Sequence, residues 1–152
     1  FDDCGYDCYH YESLDPKLLP PLYLAYTRDR SEPTAVVHNP LRARYEQGEP
    51  QVVEAMREFA GFAAEGRTAL LAGDHPKLAS LMNANFDLRK RICALSPSHV
   101  RMIDTARRVG ATAKFSGSGG AIIGTYIDES MYRALEVELE KINCAVVKPV
   151  IE

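Results

Sequence analysis

The sequence predicts an α+β fold in which helices pack on one face of a small, mainly antiparallel sheet. Short apolar segments rich in β-branched and aromatic residues alternate with long segments of helical periodicity. Two of the apolar segments flank a glycine-rich turn at 116–120, as in an antiparallel pair of strands. The chain has 152 residues, of which 46% are hydrophobic, so it is long enough to bury the core of one domain.

The first predicted strand covers residues 22–27, because this run is short, apolar and aromatic. Two consecutive prolines precede it and prevent a helix, so residues 1–21 are expected to be irregular. Residues 28–40 are polar and contain two prolines, which predicts a loop. A short helical turn is predicted over 41–47.

Three long helices are predicted in the middle of the chain. The first covers 50–71 and begins with a proline, which suits the first helical turn. Asp74 is the expected N-cap of the second helix. The apolar stripe of that helix consists of Leu78, Leu81, Met82, Leu88, Ile92 and Leu95. Ser96 is the expected cap of the third helix, which covers 97–109 and ends at Gly110.

The last third of the chain is predicted to contain three strands and one helix. The strands over 111–115 and 121–127 are joined by the glycine-rich turn. Asp128 is the expected cap of the last helix. Its apolar face consists of Met131, Leu135, Leu139 and Ile142. The final strand is predicted over 144–151.

Composition and charge exclude several classes of protein. The net charge of -3 and the pI of about 5.8 argue against a nucleic-acid binder, which usually has a basic face. The sequence has no stretch near the roughly 18 apolar residues of a membrane span. Four cysteines are sparse for a disulfide-rich secreted protein, so we expect free thiols and a cytoplasmic location.

The sharpest feature of the sequence is a glycine-rich loop that follows Lys114. Its residues are Ser116, Gly117, Ser118, Gly119 and Gly120. Successive backbone N–H groups in such a turn form a concavity that binds anions, and the two hydroxyls and the Lys114 ammonium can add contacts. A plain hairpin turn is the alternative. The spacing matches neither G-x-x-x-x-G-K-[ST] nor a strand-to-helix G-x-G-x-x-G, which excludes the Walker and Rossmann loops.

Residues 110–124 resemble the third conserved motif of the GHMP kinases, the superfamily of galactokinase, homoserine kinase, mevalonate kinase and phosphomevalonate kinase. That motif combines a G-A…A-K-x-[ST]-G core with a run of glycines between two strands. The segment 81–89 resembles the helix that precedes the motif. Within the superfamily, the segments 18–24, 65–71 and 85–89 resemble the plant-type glucuronokinases.

The resemblance covers residues 13–150 and implies one half of a two-domain kinase. It predicts a GHMP kinase C-terminal domain over 22–152, ferredoxin-like, and makes 1–21 an irregular segment after a missing N-terminal domain. In the family, the N-terminal domain carries the ATP loop, P-x-x-x-G-[LI]-[GS]-S-[SAG]-A, and the catalytic Asp, and this sequence has neither. ATP and Mg²⁺ are therefore expected cofactors of the full-length enzyme only. The glycine run of the family is shortened here, where Ala121 and Ile122 follow Gly120.

The resemblance places the segment from Lys114 to Gly120 beside the transferring phosphate and the acceptor sugar. Asn85 is expected either to bond the sugar or the loop, or to bond backbone as a core asparagine. Arg42 either pairs with a sugar carboxylate or lies on a solvated helix face, and the second interpretation is preferred. The charge runs at 89–91 and 107–108 are interpreted as solvated helix faces. The scattered histidines predict no metal site.

The sequence therefore predicts the C-terminal half of an ATP-dependent sugar kinase that phosphorylates the anomeric hydroxyl of D-glucuronate. We expect this half to be inactive alone. The alternatives are another GHMP kinase, of the heptose, galactose or mevalonate type, and a ligand-binding module without catalysis. The expected partners are a sugar or sugar acid and the chain's own N-terminal domain, with no nucleic acid and no membrane.

Overall fold

The structure is a computed structural model that describes residues 13–28 and 41–151. Its strands are β1 (Leu22–Thr27), β2 (Lys114–Phe115), β3 (Ala121–Thr125) and β4 (Cys144–Val147). Its helices are α1 (41–46), α2 (Pro50–Leu71), α3 (His75–Ile92), α4 (Pro97–Arg108) and α5 (Glu129–Glu140). A short 3-10 helix at Pro16–Leu18 precedes β1. The predicted loop at 28–40 lies outside the described residues except for its first position.

The four strands form one sheet in the order β2-β3-β1-β4, and each neighbouring pair is antiparallel. Along the chain, helices separate β1 from β2 and β3 from β4, which is the ferredoxin-like β-α-β-β-α-β pattern. Three long helices occupy the first crossover. The predicted α+β class and the antiparallel sheet are therefore confirmed.

One face of the sheet is covered by helices α3, α4 and α5. The strand residues of this core are Tyr23, Ala25, Phe115, Ile122 and Cys144. The helical residues of the same core are Phe86, Met102, Ile103, Ala106, Tyr132, Leu135 and Leu139. Helix α2 packs against α3, where Ala55, Leu88 and Ile92 form a second apolar cluster. Helix α3 thus lies between α2 and the sheet, and it brings side chains to the strand that precedes the glycine-rich loop.

Strand β2 is shorter than the predicted strand over 111–115, because a side chain takes one of the two backbone hydrogen bonds of the next pair, while the Thr112 N–H still donates to the Thr125 carbonyl (3.1 Å). The Thr125 N–H donates to the Thr112 hydroxyl (2.9 Å) instead of the Thr112 carbonyl. That carbonyl accepts a hydrogen bond from the Tyr23 hydroxyl (2.8 Å). The regular ladder therefore begins only at Lys114.

Strands β3 and β4 also end before their predicted limits of 127 and 151. The Tyr126 N–H still donates to the Pro21 carbonyl in register (3.3 Å), but Pro21 has no N–H to donate back, so the ladder ends after Thr125. Beyond Val147, the register would place Pro149 opposite the start of β1, and proline has no N–H to donate.

All three predicted cap residues lie at the N-cap position, and two of them form the capping hydrogen bond. Asp74 accepts a hydrogen bond from the Lys77 N–H (3.0 Å), and Asp128 accepts one from the Met131 N–H (2.8 Å). Ser96 is the N-cap residue of α4 as predicted, but its hydroxyl bonds no helical N–H. Helix α4 nevertheless begins at the predicted proline, since a proline in the first turn needs no donor there.

Cys93 and Cys144 are free thiols, and the other two cysteines lie outside the described residues. Within 13–28 and 41–151, no helix combines the length and the apolar character needed to cross a membrane.

Candidate functional site: the glycine-rich loop and its supports

The glycine-rich loop joins β2 to β3 and contains two residues with positive φ. Gly119 has φ of 147° and Gly120 has φ of 75°, which are conformations that residues with a Cβ rarely adopt. The loop is closed by the Ser116 N–H, which donates to the Ala121 carbonyl (3.2 Å). The Thr27 N–H at the end of β1 donates to the Gly120 carbonyl (2.9 Å). The loop is thus tied both to its own strands and to the centre of the sheet.

Arg89 of α3 binds the outer part of the loop. Its Nη1 donates to the Gly117 carbonyl (2.8 Å) and its Nη2 to the Ser118 carbonyl (3.4 Å). The guanidinium carbon lies 5.3 Å from the centre of the Phe115 ring, within the range of a cation–π contact. The prediction that this charge run is a solvated face is therefore wrong for Arg89, although Lys90 next to it is exposed.

The direction of these carbonyls fixes the direction of the next two amides. In a trans peptide the C=O of one residue and the N–H of the following residue point in opposite directions. Because the carbonyls of Gly117 and Ser118 face Arg89, the N–H groups of Ser118 and Gly119 face away from α3. In the described part of the chain, no group accepts a hydrogen bond from the N–H of Gly117, Gly119 or Gly120. The loop therefore presents hydrogen-bond donors to a ligand.

Lys114 and Asn85 line one groove between α2 and α3, about 280 Å³ in volume. Its other lining residues are mainly apolar: Phe59, Phe62, Ala63, Gly66, Leu78, Leu81 and Met82. The Lys114 ammonium donates to the Phe115 carbonyl (3.0 Å). Burial lowers the pKa of Lys114, and the nearby charge of Arg89 lowers it further. An anion bound beside Lys114 would favour its charged form.

The structure assigns to Asn83 the backbone contact that was considered for Asn85. The Asn83 Oδ1 accepts a hydrogen bond from the Ala113 N–H (3.0 Å), at the outer edge of the segment before β2. Asn85 is partly buried in the groove, and no described residue forms a hydrogen bond with its side chain. Its amide is thus available to a polar group of a ligand, and its role in substrate binding stays a prediction.

The other predicted site residues lie in different surroundings. Ser116 and Gly117 are exposed, whereas Ser118 is half-buried. The Arg42 side chain is 81% exposed and pairs with Glu46 on the same short helix (2.7 Å). This geometry agrees with a solvated helix face, and a contact of Arg42 with substrate stays a prediction.

Two half-buried residues near the loop were missed from the sequence. His99 of α4 lies against Gly119, because a Cβ built on that glycine would come within 2.5 Å of the imidazole Nδ1. Arg107 of α4 donates to the carbonyls of Asn83 (2.9 Å) and Ala113 (3.3 Å) and lies over the Phe86 ring. The solvated interpretation of 107–108 is therefore wrong for Arg107.

The helical periodicity of the sequence could have indicated that Arg89 faces the sheet. Arg89 follows Phe86 by three residues, and residues three apart in a helix share a face. Phe86 is fully buried against Phe115, with ring centres 5.2 Å apart. A charged residue on such a face must find partners, and here the partners are the loop carbonyls.

Chemically, the arrangement can bind and orient an anion. Its donors are backbone amides, with two cationic side chains close by. Among the residues that the structure describes, no group of three or more His, Cys, Asp or Glu side chains can hold a metal ion.

Comparison with known protein families agrees with the loop and the fold. Residues 67–140 match the family model described as GHMP kinases C terminal. The chain contains a GHMP kinase C-terminal domain. The matched range includes the whole glycine-rich loop, helix α3 with Arg89, and helix α4 with His99. The resemblance seen in the sequence is therefore confirmed.

Curated relatives of this GHMP kinase domain are glucuronokinases. Glucuronokinase 1 of Arabidopsis thaliana is 43% identical over 136 residues, which are 86% of this chain and 37% of that protein. Probable glucuronokinase 2 of the same plant is 40% identical over 154 residues, covering 98% of this chain and 41% of that protein. The chain thus spans about two fifths of the length of the curated relatives it matches.

Several solved structures share the fold. The L. major mevalonate kinase in complex with R-mevalonate matches with a TM-score of 0.74 at 24% identity, over 87% of this chain and 44% of that one. The Listeria innocua protein Lin0012 matches with a TM-score of 0.75 at 16% identity, over 85% and 38%. The Lactococcus lactis galactokinase complexed with galactose matches with a TM-score of 0.58 at 14% identity, over 84% and 44%.

Proposed function

We propose that this chain is the C-terminal part of an ATP-dependent kinase that phosphorylates the anomeric hydroxyl of D-glucuronate. The observation that carries the proposal is the Gly119 N–H, which faces away from Arg89, together with the N–H groups of Gly117 and Gly120; none of these three amides has an acceptor among the described residues. They occur in a GHMP kinase domain that is 43% identical to Glucuronokinase 1. Phosphoryl transfer depends mainly on positioning and charge neutralisation, which is the chemistry that such a loop supplies.

In this proposal the loop amides receive the oxygens of the transferring phosphoryl group of ATP. The Lys114 ammonium adds positive charge at one side of the loop. Asn85 offers an amide to a hydroxyl of the acceptor in the adjoining groove. Helix α3 carries both Asn85 and Arg89, so it aligns the acceptor with the loop. Correct alignment of two bound reactants lowers the barrier because little freedom remains to be lost.

The described residues fit the phosphate groups of ATP but not the whole reaction. They hold no cluster of carboxylates that fits Mg²⁺, and no carboxylate contacts the loop amides. We therefore assign the Mg²⁺ ligands, the adenine site and the base for the acceptor hydroxyl to an N-terminal domain outside this chain. The chain alone is expected to be inactive, and the full-length enzyme is expected in the cytoplasm.

The first test is the coding sequence upstream of Phe1. A serine- and glycine-rich phosphate loop followed by an aspartate would support the kinase. A start codon immediately before Phe1 would contradict it and leave the non-catalytic binding module ahead.

The second test measures ADP release by the full-length protein with glucuronate, galactose and mevalonate as acceptors. We expect turnover with glucuronate and much less with the other two. Turnover with galactose or mevalonate alone would contradict glucuronate as the acceptor but would still support the proposed kinase activity. No turnover with any acceptor would refute the kinase.

A further inference from the structure

We infer that Arg89 is a positioning residue that holds the glycine-rich loop in the conformation that receives the phosphoryl group. The contacts of Arg89 with the loop are observed in the structure, and only their expected effect on kcat rests on the proposed function. Arg89 touches no reacting group in this inference. It acts by fixing the backbone whose amides bind the anion.

The geometry supports this role because one side chain controls two successive peptide planes. The two terminal nitrogens of Arg89 donate to the carbonyls of Gly117 and Ser118. Each carbonyl that faces Arg89 turns the following N–H toward the opposite side. A planar guanidinium can donate two bonds in a fixed geometry, whereas an ammonium acts as a point charge. The guanidinium thus sets the orientation of the peptide groups that follow Gly117 and Ser118.

The surroundings of Arg89 also restrain the position of its guanidinium group. The guanidinium lies over the ring of Phe115, the last residue before the loop. Its Nε is buried and has no hydrogen-bond partner among the described residues. The position of the guanidinium is therefore set by the two carbonyls and the ring, and not by a bond at Nε.

Arg107 provides a matched control for this inference. It also bonds two backbone carbonyls, lies over a phenylalanine ring and buries an unpartnered Nε. Its carbonyl partners are Asn83 and Ala113, which precede the loop, so it contacts no loop residue. Arg107 also forms an ion pair with Asp87 (2.6 Å). A variant at Arg107 therefore removes comparable contacts and this ion pair as well, while it leaves the loop carbonyls paired with Arg89.

The experiment compares the full-length protein with R89M, R89K and R107M, and with K90M as a surface control. Hydrogen–deuterium exchange of the 116–121 amides is measured first. We expect exchange of this segment to rise about tenfold in R89M, and more in R89K than in R107M, because lysine cannot bond both carbonyls. K90M should match the unmodified protein. Melting temperatures show how much each variant loses in stability.

The kinetic part measures kcat and KM for ATP and glucuronate. We expect R89M to lower kcat about tenfold or more while KM for glucuronate changes by less than about threefold, since the loop amides act mainly in the transition state. R89A with added guanidinium ion should regain part of the lost kcat. R107M should lower the melting temperature without this loss of kcat.

Equal loop exchange in R89M and R107M would overturn the inference, and so would losses of kcat that follow the melting temperature alone. If R89M does not fold, R89K decides the same question by its loop exchange. Absence of turnover in the unmodified protein would refute the proposed function. The exchange comparison would then still decide the role of Arg89.

Discussion

Gly119→Ala is the most direct test of the glycine-rich loop. The substitution adds one methyl group at a residue whose φ is 147°, a region that is essentially restricted to glycine. The new Cβ would also lie 2.5 Å from Nδ1 and 3.0 Å from Cε1 of the His99 ring. The variant therefore meets backbone strain and a steric conflict at the same position.

The two penalties can be estimated separately. A non-glycine residue in this region of φ costs about 1–3 kcal/mol. Inserting a methyl group into a filled site costs about 1–3 kcal/mol more. A loop that kept its conformation would thus cost about 2–6 kcal/mol, a large part of the roughly 5–15 kcal/mol that stabilises a domain. Movement of the loop avoids most of this cost, and we expect the loop to move.

The functional consequence follows from that movement. A displaced loop takes the N–H of Gly119 away from the phosphoryl oxygens. Loss of one preorganised backbone donor lowers kcat by about 10²-fold to 10³-fold in other enzymes. We expect kcat/KM of Gly119→Ala to fall by about 10²-fold, and Gly119→Val to lose at least as much. The assay is coupled ADP release by the full-length protein with glucuronate.

Denaturant unfolding with two companion variants separates the causes. Gly117→Ala is the stability control, because a Cβ there meets no atom within 4 Å and φ is not positive. Gly119→Ala combined with His99→Ala relieves the steric conflict but not the strain, so we expect a coupling energy of about 1–2 kcal/mol. Wild-type rates in Gly119→Ala would refute the reasoning and leave the loop as a plain hairpin turn.

Three further predictions concern the scaffold and are tested by unfolding in denaturant. Gly124→Ala should be severely destabilising, by about 3 kcal/mol or more, since its Cβ would overlap the Thr112 carbonyl and lie 2.7 Å from the Tyr23 ring. Tyr23→Phe should cost about 1–2 kcal/mol at neutral pH, because the carbonyl of Thr112 loses its hydroxyl donor. Burial raises the pKa of Tyr23 above its ordinary value near 10, so the wild-type stability should fall as the pH rises above about 10. Tyr23→Phe should reduce that slope, and the raised pKa of Tyr132 should preserve part of it. Gly61→Ala in α2 should stabilise by about 0.5–1 kcal/mol with unchanged activity, because its Cβ would meet no atom within 4 Å.

Local patterns were sufficient to predict much of the fold. Strand β1 and helix α2 have their predicted limits, because hydrophobic periodicity and the prolines at their starts act within a few residues. The caps at Asp74 and Asp128 were predictable for the same reason.

The limits of β2 depended on contacts that no local pattern contains. Its early part leaves the regular ladder because the Thr112 hydroxyl takes the N–H of Thr125. The carbonyl of Thr112 is then bonded by Tyr23, which lies 89 positions away in the sequence. A strand propensity over 111–115 cannot contain that information.

The candidate site was likewise predictable from the sequence only in part. The glycines themselves identified the loop, because two of them need positive φ and the resemblance placed them beside a phosphate. Arg89 stands in a run of three cations, of which only this one reaches the loop. Which cation points inward is decided by the packing of Phe86 on Phe115, that is, by the position of α3 on the sheet.

A loop with three glycines reaches one conformation because three separate elements bind it. Ordering a residue costs about 1–2 kcal/mol of backbone entropy, and glycine loses the most. The loop is bonded by Arg89 from α3 and by Thr27 from β1, and it packs against His99 from α4. Hydrogen bonds to a charged donor contribute about 1.5–3 kcal/mol each, which is enough to offset the entropy of the residues they hold. The amides are therefore oriented before a ligand binds. The glycines allow the ligand to approach the backbone closely, and the contacts with the three elements keep the loop ordered.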